Sequence, residues 1–575
     1  FNIMVTGYGG QGLRTFTWLL SKIFLKSGYH VHSFFDFTSK IRGGRNRAII
    51  SLSNKDIHIL EEKVDILACL DGEIFPEEDK LLNENGIIIR NGEKNFNGHI
   101  LELPLLKSAK GAGNRIYQNS VLLGAIMGLF KIDVISVNEA FLKQFSYKGI
   151  ETYDENLKAA SMGFKHVIEG KYINVITPTA LKERILINGM ESIIFGAIGA
   201  GCQALYSNPL PVTRKAIDLM SDFAREFPII TDATEDDSSA IFKAIGSSYA
   251  GVKSLVLTTS SGLQNMIQGI SFSGMAEVPL VLVVVQSPGP SIGMPTKTEQ
   301  NNLIFSISIG NNEIPKIIFA PSTQDECYTM THKAFEISSN YNIPAIILID
   351  HYLAESINDI NLINLDEVRR PRDHFTRKEL EELNEYKTYK QTETGISPRL
   401  YPGQTDLPVV VTAFEHDESG KISDSFKDRE EMVNKRLRKR IAVLEEYTNP
   451  EFYGDDKFDI LITAWGSTIP TIKAVIDFLR SEKKKVGGLL FTHMFPLNEK
   501  KLKKYFRKNR YFINIESNSV GQLGVLLRSY LGVEFNQNIL RYDGYPLTFE
   551  YILDRIKSDH KVKPTRRGRW KKSKD

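Results

Sequence analysis

Short apolar runs that end in glycine- or hydroxyl-rich turns and lead into helically spaced apolar positions recur along the chain. Near the start, Ile3 to Val5 is followed by Gly7-Tyr8-Gly9-Gly10-Gln11-Gly12 and then by Leu13, Phe16, Leu19, Leu20 and Ile23, which reads as strand, glycine turn and helix. Gly28 closes that helix, and a β-like run, Val31 to Phe37, follows it. Runs at Val64 to Leu70 and Gly86 to Ile89 continue a βαβ winding, and an apolar helix over Asn119 to Phe130 completes a first domain that closes near residue 170.

A second α/β region starts near Asn188 with a helix predicted over Met190 to Leu205, whose Gly196-Ala197-Ile198-Gly199-Ala200-Gly201 run permits close packing. The runs after it, Ser254 to Leu257, Pro279 to Val285, Lys316 to Phe319 and Ala345 to Ile349, are almost wholly apolar. Such runs belong to strands covered on both faces, hence to a doubly wound parallel sheet. From Asn358 to Tyr447 the pattern loosens into charged helical stretches, Lys378 to Lys390 and Asp428 to Leu444, predicted as a connecting segment that wraps a neighbour. A third α/β unit runs through Asp459 to Ile462, a helix over Ile469 to Arg480, and strands at Val486 to Phe491 and Tyr511 to Glu516. The resulting division is 1–175, 185–360, a connector over 361–455, and 456–575.

Composition fits this picture: 575 residues, 42% hydrophobic and 25% charged, leave room for three or four domains at roughly 150 residues each. Eight of the last fifteen residues are Lys or Arg against one acid, so removing this net +7 from the total of +3 leaves −4 for the body. The tail is read as a solvated end, with no nucleic-acid partner expected. Cys69, Cys202 and Cys327 are widely spaced, so this chain alone is not expected to build a four-cysteine cluster or zinc site. No run approaches the ~20 apolar residues of a membrane span, and no signal-peptide pattern is present, so a cytoplasmic protein is expected. The chain starts at Phe1 rather than Met, and a start further upstream is expected.

Several segments carry candidate chemistry. Gly7, Gly9 and Gly12 place backbone N–H groups at a helix N-terminus, which suits either an anion or a tight packing turn, with Asp36 where a dinucleotide fold has its ribose-binding acid. Arg42-Gly43-Gly44-Arg45-Asn46-Arg47 is either a phosphate clamp or a solvated basic loop. Thr258-Thr259-Ser260-Ser261-Gly262 and Ser291 to Gln300 each follow an apolar strand and fall on the carboxyl edge of one sheet, where open α/β sheets bind ligands. Glu415-His416-Asp417-Glu418 has metal-ligand residue types but reads as a turn, because adjacent side chains cannot all face one ion.

Taken together the motifs resemble the 2-oxoacid:ferredoxin oxidoreductase family, as a large subunit with a γ-type domain fused ahead of α-type domains, similar above all to the 2-oxoglutarate enzymes. The resemblance rests on Gly7 to Gly12 with Ile41-Arg42-Gly43-Gly44, on Gly246-Ser247-Ser248-Tyr249-Ala250-Gly251, on Gly274 to Leu280, and on Gly289-Pro290-Ser291 with Gly293 to Gln300. It continues through Gly395 to Arg399, Glu415 to Glu418, Trp465 to Thr468, Gly521-Gln522-Leu523 and Leu540 to Gly544, and so spans nearly the whole chain. It implies an α/β fold of three domains: a γ-type domain, a thiamine-diphosphate pyrimidine-type doubly wound domain, and a transketolase C-terminal-like domain. It also implies oxidative decarboxylation of a 2-oxoacid with coenzyme A, electrons passing to ferredoxin. The implied partner is a β subunit in an αβ or (αβ)2 assembly, which shares thiamine diphosphate and Mg²⁺ and holds a [4Fe-4S] cluster; no metal site is expected in this chain.

The same resemblance assigns the site residues. Asp237 fills the position of the catalytic Glu that contacts the cofactor's aminopyrimidine, and Thr259, Ser260 and Gly262 form the cofactor turn. The substrate loop maps to Asn208, Pro211 and Thr213, with Ser287 and Ser291 on the facing loop. Gly9, Gly10, Gln11, Gly12, Arg42, Gly43 and Gly44 are the coenzyme A candidates. The chain departs from the family's pattern at Pro211, which stands for a substrate-contacting Thr, at Asp237 for Glu, at Ser287 for an Arg that anchors a carboxylate, at Pro288 for the Gly that follows it, and at Thr258-Thr259-Ser260-Ser261-Gly262 for a Thr-Ser-Gly-Pro-Gly turn. Thr213 or Arg214 is the expected substitute for the lost hydroxyl. The departures leave open a non-catalytic assembly subunit, and a third reading is a non-redox thiamine-dependent decarboxylase subunit.

Overall fold

The computed structural model describes residues 1–37, 44–70, 72–133, 138–168, 170, 172–179, 181, 183–362, 375–507 and 510–559. Three sheets organise them. In the first, strands Asn2–Tyr8, Val64–Cys69, Leu82–Asn91 and Ile100–Leu103 run parallel, as the winding predicts. The helix Leu13–Lys26 buries Leu13, Phe16, Leu19, Leu20, Ile23 and Phe24 along one stripe against them.

The βαβ reading needs one correction. A strand that the sequence pattern does not predict, Arg45–Ser53, lies between Asn2–Tyr8 and His30–Asp36 and is antiparallel to both. Its polar start, Arg45-Asn46-Arg47, hides the apolar Ala48-Ile49-Ile50 that follows. The sheet also extends across His30–Asp36 to two strands from the ends of the second region, Ile357–Asn361 and Arg184–Asn188.

In the second sheet the strands Ile230–Ala233, Ala204–Ser207, Ser254–Thr259, Leu280–Gln286, Pro344–Asp350 and Ile317–Phe319 are parallel in that order. Leu280–Gln286 and Pro344–Asp350 are buried at every position, as the apolar runs that precede their polar last residues require. The helix predicted over Met190 to Leu205 stops at Gly199, because Gly201 turns the chain through a φ of 80° and Gln203 donates to the Lys253 carbonyl at 2.8 Å, opening a strand at Ala204. A short strand of the C-terminal domain, His493–Phe495, joins this sheet antiparallel to Ile317–Phe319.

The connector folds as a helix, Phe426–Val443, and as a largely irregular stretch in which the helix expected over Lys378 to Lys390 is limited to Arg377–Glu381. There the chain instead turns Tyr389 fully inward. The connector helix is fastened by a buried triad: Lys435 Nζ reaches both carboxylate oxygens of Glu277 at 2.7 Å, and Lys439 pairs with the same group. Burial alone raises a carboxyl's pKa, but the two ammonium groups outweigh it and hold Glu277 down to about 2. The third sheet, in the order Glu451–Gly454, Val486–Phe491, Ile460–Trp465, Tyr511–Glu516 and Gln537–Leu540, is parallel apart from its first edge strand. No helix among the described residues is long and apolar enough to cross a membrane.

Candidate functional site

Four neighbouring parallel strands of the second sheet deliver the predicted residues to one edge. Asn208 follows Ala204–Ser207, Asp237 follows Ile230–Ala233, Ser260 to Gly262 follow Ser254–Thr259, and Ser287 follows Leu280–Gln286. Parallel pairing puts all four carboxyl ends on the same side.

Asp237 opens the helix Asp237–Tyr249, capped by Asp236, whose side chain accepts from Ser239 N at 2.6 Å. The residue is buried, 5% exposed, and Thr258 Oγ1 donates to its Oδ1 at 2.6 Å. Gly262 makes room for that contact: a Cβ there would lie 2.3 Å from Asp237 Oδ1 and 2.1 Å from Thr258 Oγ1. Two residues along the same turn, Ser260 Oγ accepts from Ser287 N at 2.9 Å and lies 2.6 Å from Asn302 Oδ1, while Asn301 Nδ2 donates to Ser287 O at 2.7 Å. The turn Thr258–Gly262 thus joins Asp237 on one side to Ser287 on the other. Thr259 Oγ1 sits 3.2 Å from Ser261 Oγ, and both residues are partly exposed at the edge.

The loop after Asn208 is built differently from the expectation for Thr213. Thr213 is fully buried, and its Oγ1 donates to Asn208 O at 2.7 Å and accepts from Leu210 N at 3.0 Å, so the hydroxyl closes the loop from inside. Arg214 is exposed and pairs with Asp218 at 3.2 Å. Pro211 is exposed at the loop's tip, and so is Ser291, which holds a left-handed φ of 57°.

The glycine turn of the first domain also forms as predicted. Gly12, at φ 73°, precedes the helix Leu13–Lys26, and Gly10 has φ 90°. Gln11 folds back under the turn, its Oε1 accepting from Tyr8 N at 2.6 Å and its carbonyl from Asn119 Nδ2 at 2.6 Å. Gly9 N donates to Gly44 O at 3.1 Å, which brings the two glycine motifs together; Arg42 and Gly43 lie outside the described residues. A cleft of about 820 Å³ opens beside Gly10, Gln11 and Gly12 and is also lined by Arg115, Tyr117 and Asn119.

Two expectations are corrected. Arg45 does not serve a phosphate clamp: Nε and an Nη hold both oxygens of the fully buried Glu78 at 2.8 and 2.9 Å. Asp36 stands two strands away from the glycine turn, with Arg45–Ser53 between, and pairs with Lys297 of the second domain, so it does not face a ribose there. The turn expected over Glu415 to Glu418 lies slightly further on, at Asp417–Gly420, where Gly420 N donates to Asp417 O at 3.1 Å between the bridged His416 and Ile422; Glu415, just before it, pairs with Arg429 at 2.6 Å and with Arg436 at 3.1 Å. His30, Asp56 and Asp359 bring ligand atoms within 4.8 Å of one another, but Arg184 pairs with Asp56 at 2.8 Å and with Asp359, and supplies the positive charge there. The three cysteines are buried, and none forms a disulfide; burial pushes the Cys202 thiol up to about 12.

Sequence reasoning missed the support behind this edge. Gln300 links to Trp465 O at 2.7 Å and to Ser517, and the buried Glu516 accepts from Trp465 Nε1 at 2.9 Å and from Asn518 Nδ2 at 2.8 Å. Gln300, Trp465 and Glu516 stand in motifs or strands legible in the sequence, but nothing in their spacing reveals that they meet. Glu299, beside Gln300, is buried, and desolvation raises its carboxyl to about 7.

A glycine-turn domain followed by a doubly wound domain with a buried carboxylate at its ligand edge, and by a third α/β domain that braces that edge, defines a subunit of a cofactor-dependent α/β enzyme. Three family profiles match in the same order: "Pyruvate ferredoxin/flavodoxin oxidoreductase" over 2–166, "Pyruvate flavodoxin/ferredoxin oxidoreductase, thiamine diP-bdg" over 196–435, and "Pyruvate:ferredoxin oxidoreductase core domain II" over 458–540. A 2-oxoacid:ferredoxin oxidoreductase subunit alpha of Sulfolobus sp. is 26% identical, with 94% of each chain covered. The 2-oxoglutarate synthase subunit KorA of Methanothermobacter marburgensis is 25% identical over 60% of this chain and 90% of its own. The solved 2-oxoglutarate:ferredoxin oxidoreductase from Magnetococcus marinus, with 2-oxoglutarate, coenzyme A and succinyl-CoA bound, superposes with a TM-score of 0.90 at 26% identity, covering 97% of this chain and 99% of that one. The chain belongs to the 2-oxoacid:ferredoxin oxidoreductase family, as a large subunit carrying γ-type and α-type domains in one polypeptide.

Proposed function

We propose that this chain, with a β partner, converts a 2-oxoacid and coenzyme A to acyl-coenzyme A, carbon dioxide and a proton, with two electrons leaving to ferredoxin. The observation that carries this reading is the convergence of Asp237, Ser260, Gly262 and Ser287 on one sheet edge. The donor set fits the pyrimidine half of thiamine diphosphate: a buried carboxylate, and a turn whose glycine cannot be given a Cβ without striking that carboxylate.

When bound, the cofactor supplies the electron sink that accepts the pair released on loss of carbon dioxide. Asp237 would hold the aminopyrimidine by a hydrogen bond, with Thr258 fixing the carboxylate's orientation. Ser260 fixes the backbone of Ser287, and Ser287 and Ser291, with the loop Asn208 to Pro211, flank the 2-oxoacid. The cleft beside Gly10, Gln11 and Gly12 takes coenzyme A, whose phosphates suit the backbone N–H groups at the start of Leu13–Lys26. The β partner holds the diphosphate, Mg²⁺ and the [4Fe-4S] cluster, which fits three cysteines that are dispersed and buried here. The assembly is αβ or (αβ)2 and cytoplasmic.

A second reading, a non-catalytic assembly subunit, draws on one observation: Ser287 puts a hydroxyl where the family has a guanidinium to hold a substrate carboxylate. The experiment is viologen reduction by the chain co-purified with its partner, with thiamine diphosphate and Mg²⁺ added, across 2-oxoacids with and without coenzyme A. Reduction that needs one 2-oxoacid and coenzyme A is expected; silence with both cofactors verified in place supports the second reading.

A further inference from the structure

The segment from Ser287 to Asn302 contacts all three domains. Its two ends are tied to its own domain through Ser260, as described above. Gln300 is held by the C-terminal domain: its N donates to Ser517 O at 2.6 Å and its carbonyl accepts from Asn518 Nδ2 at 3.0 Å. Thr298 N donates to Gly544 O at 3.2 Å, and Gly544 packs so closely that a Cβ there would lie 2.9 Å from Lys297 Cβ and 3.6 Å from Met294 Sδ. Lys297 then reaches the N-terminal domain, where its ammonium pairs with Asp36 at the end of His30–Asp36; the two side chains are 20% and 19% exposed. Between these anchors residues 289–295 are exposed.

We propose that Lys297 is a positioning residue: through its ion pair with Asp36 the N-terminal domain sets where the loop carrying Ser291 stands at the thiamine edge. The inference rests on the assignment of the 2-oxoacid and coenzyme A sites above. Its physical basis is lever-like. Thr298 and Gln300 fix the loop's far end in backbone hydrogen bonds, but Lys297 is the side chain there that answers to the domain bearing the coenzyme A cleft. A second ion pair, Arg14 with Glu355 at 2.6 Å, crosses the same boundary without touching the loop, and so separates domain docking from loop placement.

The test uses the complex with its partner. Asp36→Asn, Lys297→Met, the charge swap Asp36→Lys with Lys297→Asp, and the control Glu355→Gln, which breaks the second ion pair from the side away from the glycine turn, are compared by hydrogen exchange at the amides of Met294, Lys297 and Thr298, bonded to the carbonyls of Pro288, Met294 and Gly544, and by steady-state kinetics. The two single variants are expected to speed exchange at these amides by roughly three- to tenfold, and to raise KM for the 2-oxoacid by a similar factor with kcat held within about twofold. The swap is expected to recover most of both effects, and Glu355→Gln to cause neither. Unchanged exchange in both single variants, or an equal change in Glu355→Gln, overturns the proposal. If the wild-type complex turns over no 2-oxoacid, the assignment of function fails, and hydrogen exchange alone still decides whether Lys297 places the loop.

Discussion

Ser260 and Ser287 stand 27 residues apart and are locked together at the ends of two adjacent strands, the amide of Ser287 donating to Ser260 Oγ at 2.9 Å while the same hydroxyl lies 3.2 Å from the Ser287 carbonyl. Ser260→Ala removes the acceptor for a buried N–H and the partner of Asn302, which is expected to cost about 1–3 kcal/mol. Chemical unfolding measures it. The same variant is expected to raise KM for the 2-oxoacid more than KM for coenzyme A, because the Ser287 backbone loses its anchor.

Asp237→Ala is expected to lower 2-oxoacid-dependent viologen reduction by roughly 100-fold or more, the scale of a lost general acid or base. Size-exclusion chromatography should show the complex intact, since Asp237 contributes one hydrogen bond, from Thr258, to the fold. Full activity in this variant would remove Asp237 from the chemistry.

Replacing Ser287 with Arg and Pro288 with Gly returns the family's carboxylate anchor. A charge-assisted contact worth about 1.5–3 kcal/mol predicts a roughly ten- to hundredfold gain in kcat/KM for a 2-oxoacid with a second carboxylate. A 2-oxoacid without one should gain nothing, and equal gains for both would mean that the anchor acts elsewhere.

The Glu277 triad makes an asymmetric prediction. Glu277→Gln leaves two buried ammonium groups without their counter-charge and is expected to cost about 3–5 kcal/mol. Lys439→Met should cost less, because Lys435 still neutralises the carboxylate and a like-charge neighbour is removed. The sign with pH follows from the depressed pKa. The unfolded carboxyl titrates near 4.5 and the folded one near 2, so its stabilisation is complete above 4.5 and is lost as pH falls toward 2. Wild type should lose stability across that window, and Glu277→Gln should lack this component of the acid loss.

Asp350 predicts the opposite slope. It is buried at the end of Pro344–Asp350, and desolvation raises its pKa to about 6 despite hydrogen bonds from Leu353 N and Ser467 Oγ. Between the ordinary value of 3.8 and 6 the folded state binds the extra proton, so this group withdraws stability as pH rises. A shift of about two units corresponds to roughly 3 kcal/mol. Asp350→Asn keeps the side-chain oxygen that caps His351–Glu355, so relative to wild type it should gain stability as pH rises from 4 to 7; a constant difference across that range would contradict the prediction.

Much of the architecture is legible in the local pattern. Leu280–Gln286 and Pro344–Asp350 announce a sheet covered on both faces because every position before the terminal Gln286 and Asp350 is apolar, and the helix Leu13–Lys26 announces its buried stripe at a spacing of three and four. The turns at Gly7 to Gly12 and Thr258 to Gly262 are legible for a similar reason: a glycine or hydroxyl cluster between strand and helix marks the ligand edge of an α/β sheet. Arg45–Ser53 escaped because its first three residues are polar, and the short strand Ala204–Ser207 escaped because a run of small apolar residues continues a helical pattern into it.

What the sequence determined alone is therefore the order of the elements, the parallel sheet and the set of turns from which a site is made, since these depend on residues within a few positions of one another. The tertiary structure decided which side chains meet: Ser260 with Ser287, Gln300 with Trp465, Glu277 with Lys435, and Asp36 with Lys297, which takes Asp36 away from any ribose at the glycine turn. Such pairs are selected by how whole domains pack. A carboxylate or amide is satisfied equally well by many partners, and only the packed chain brings one of them within reach.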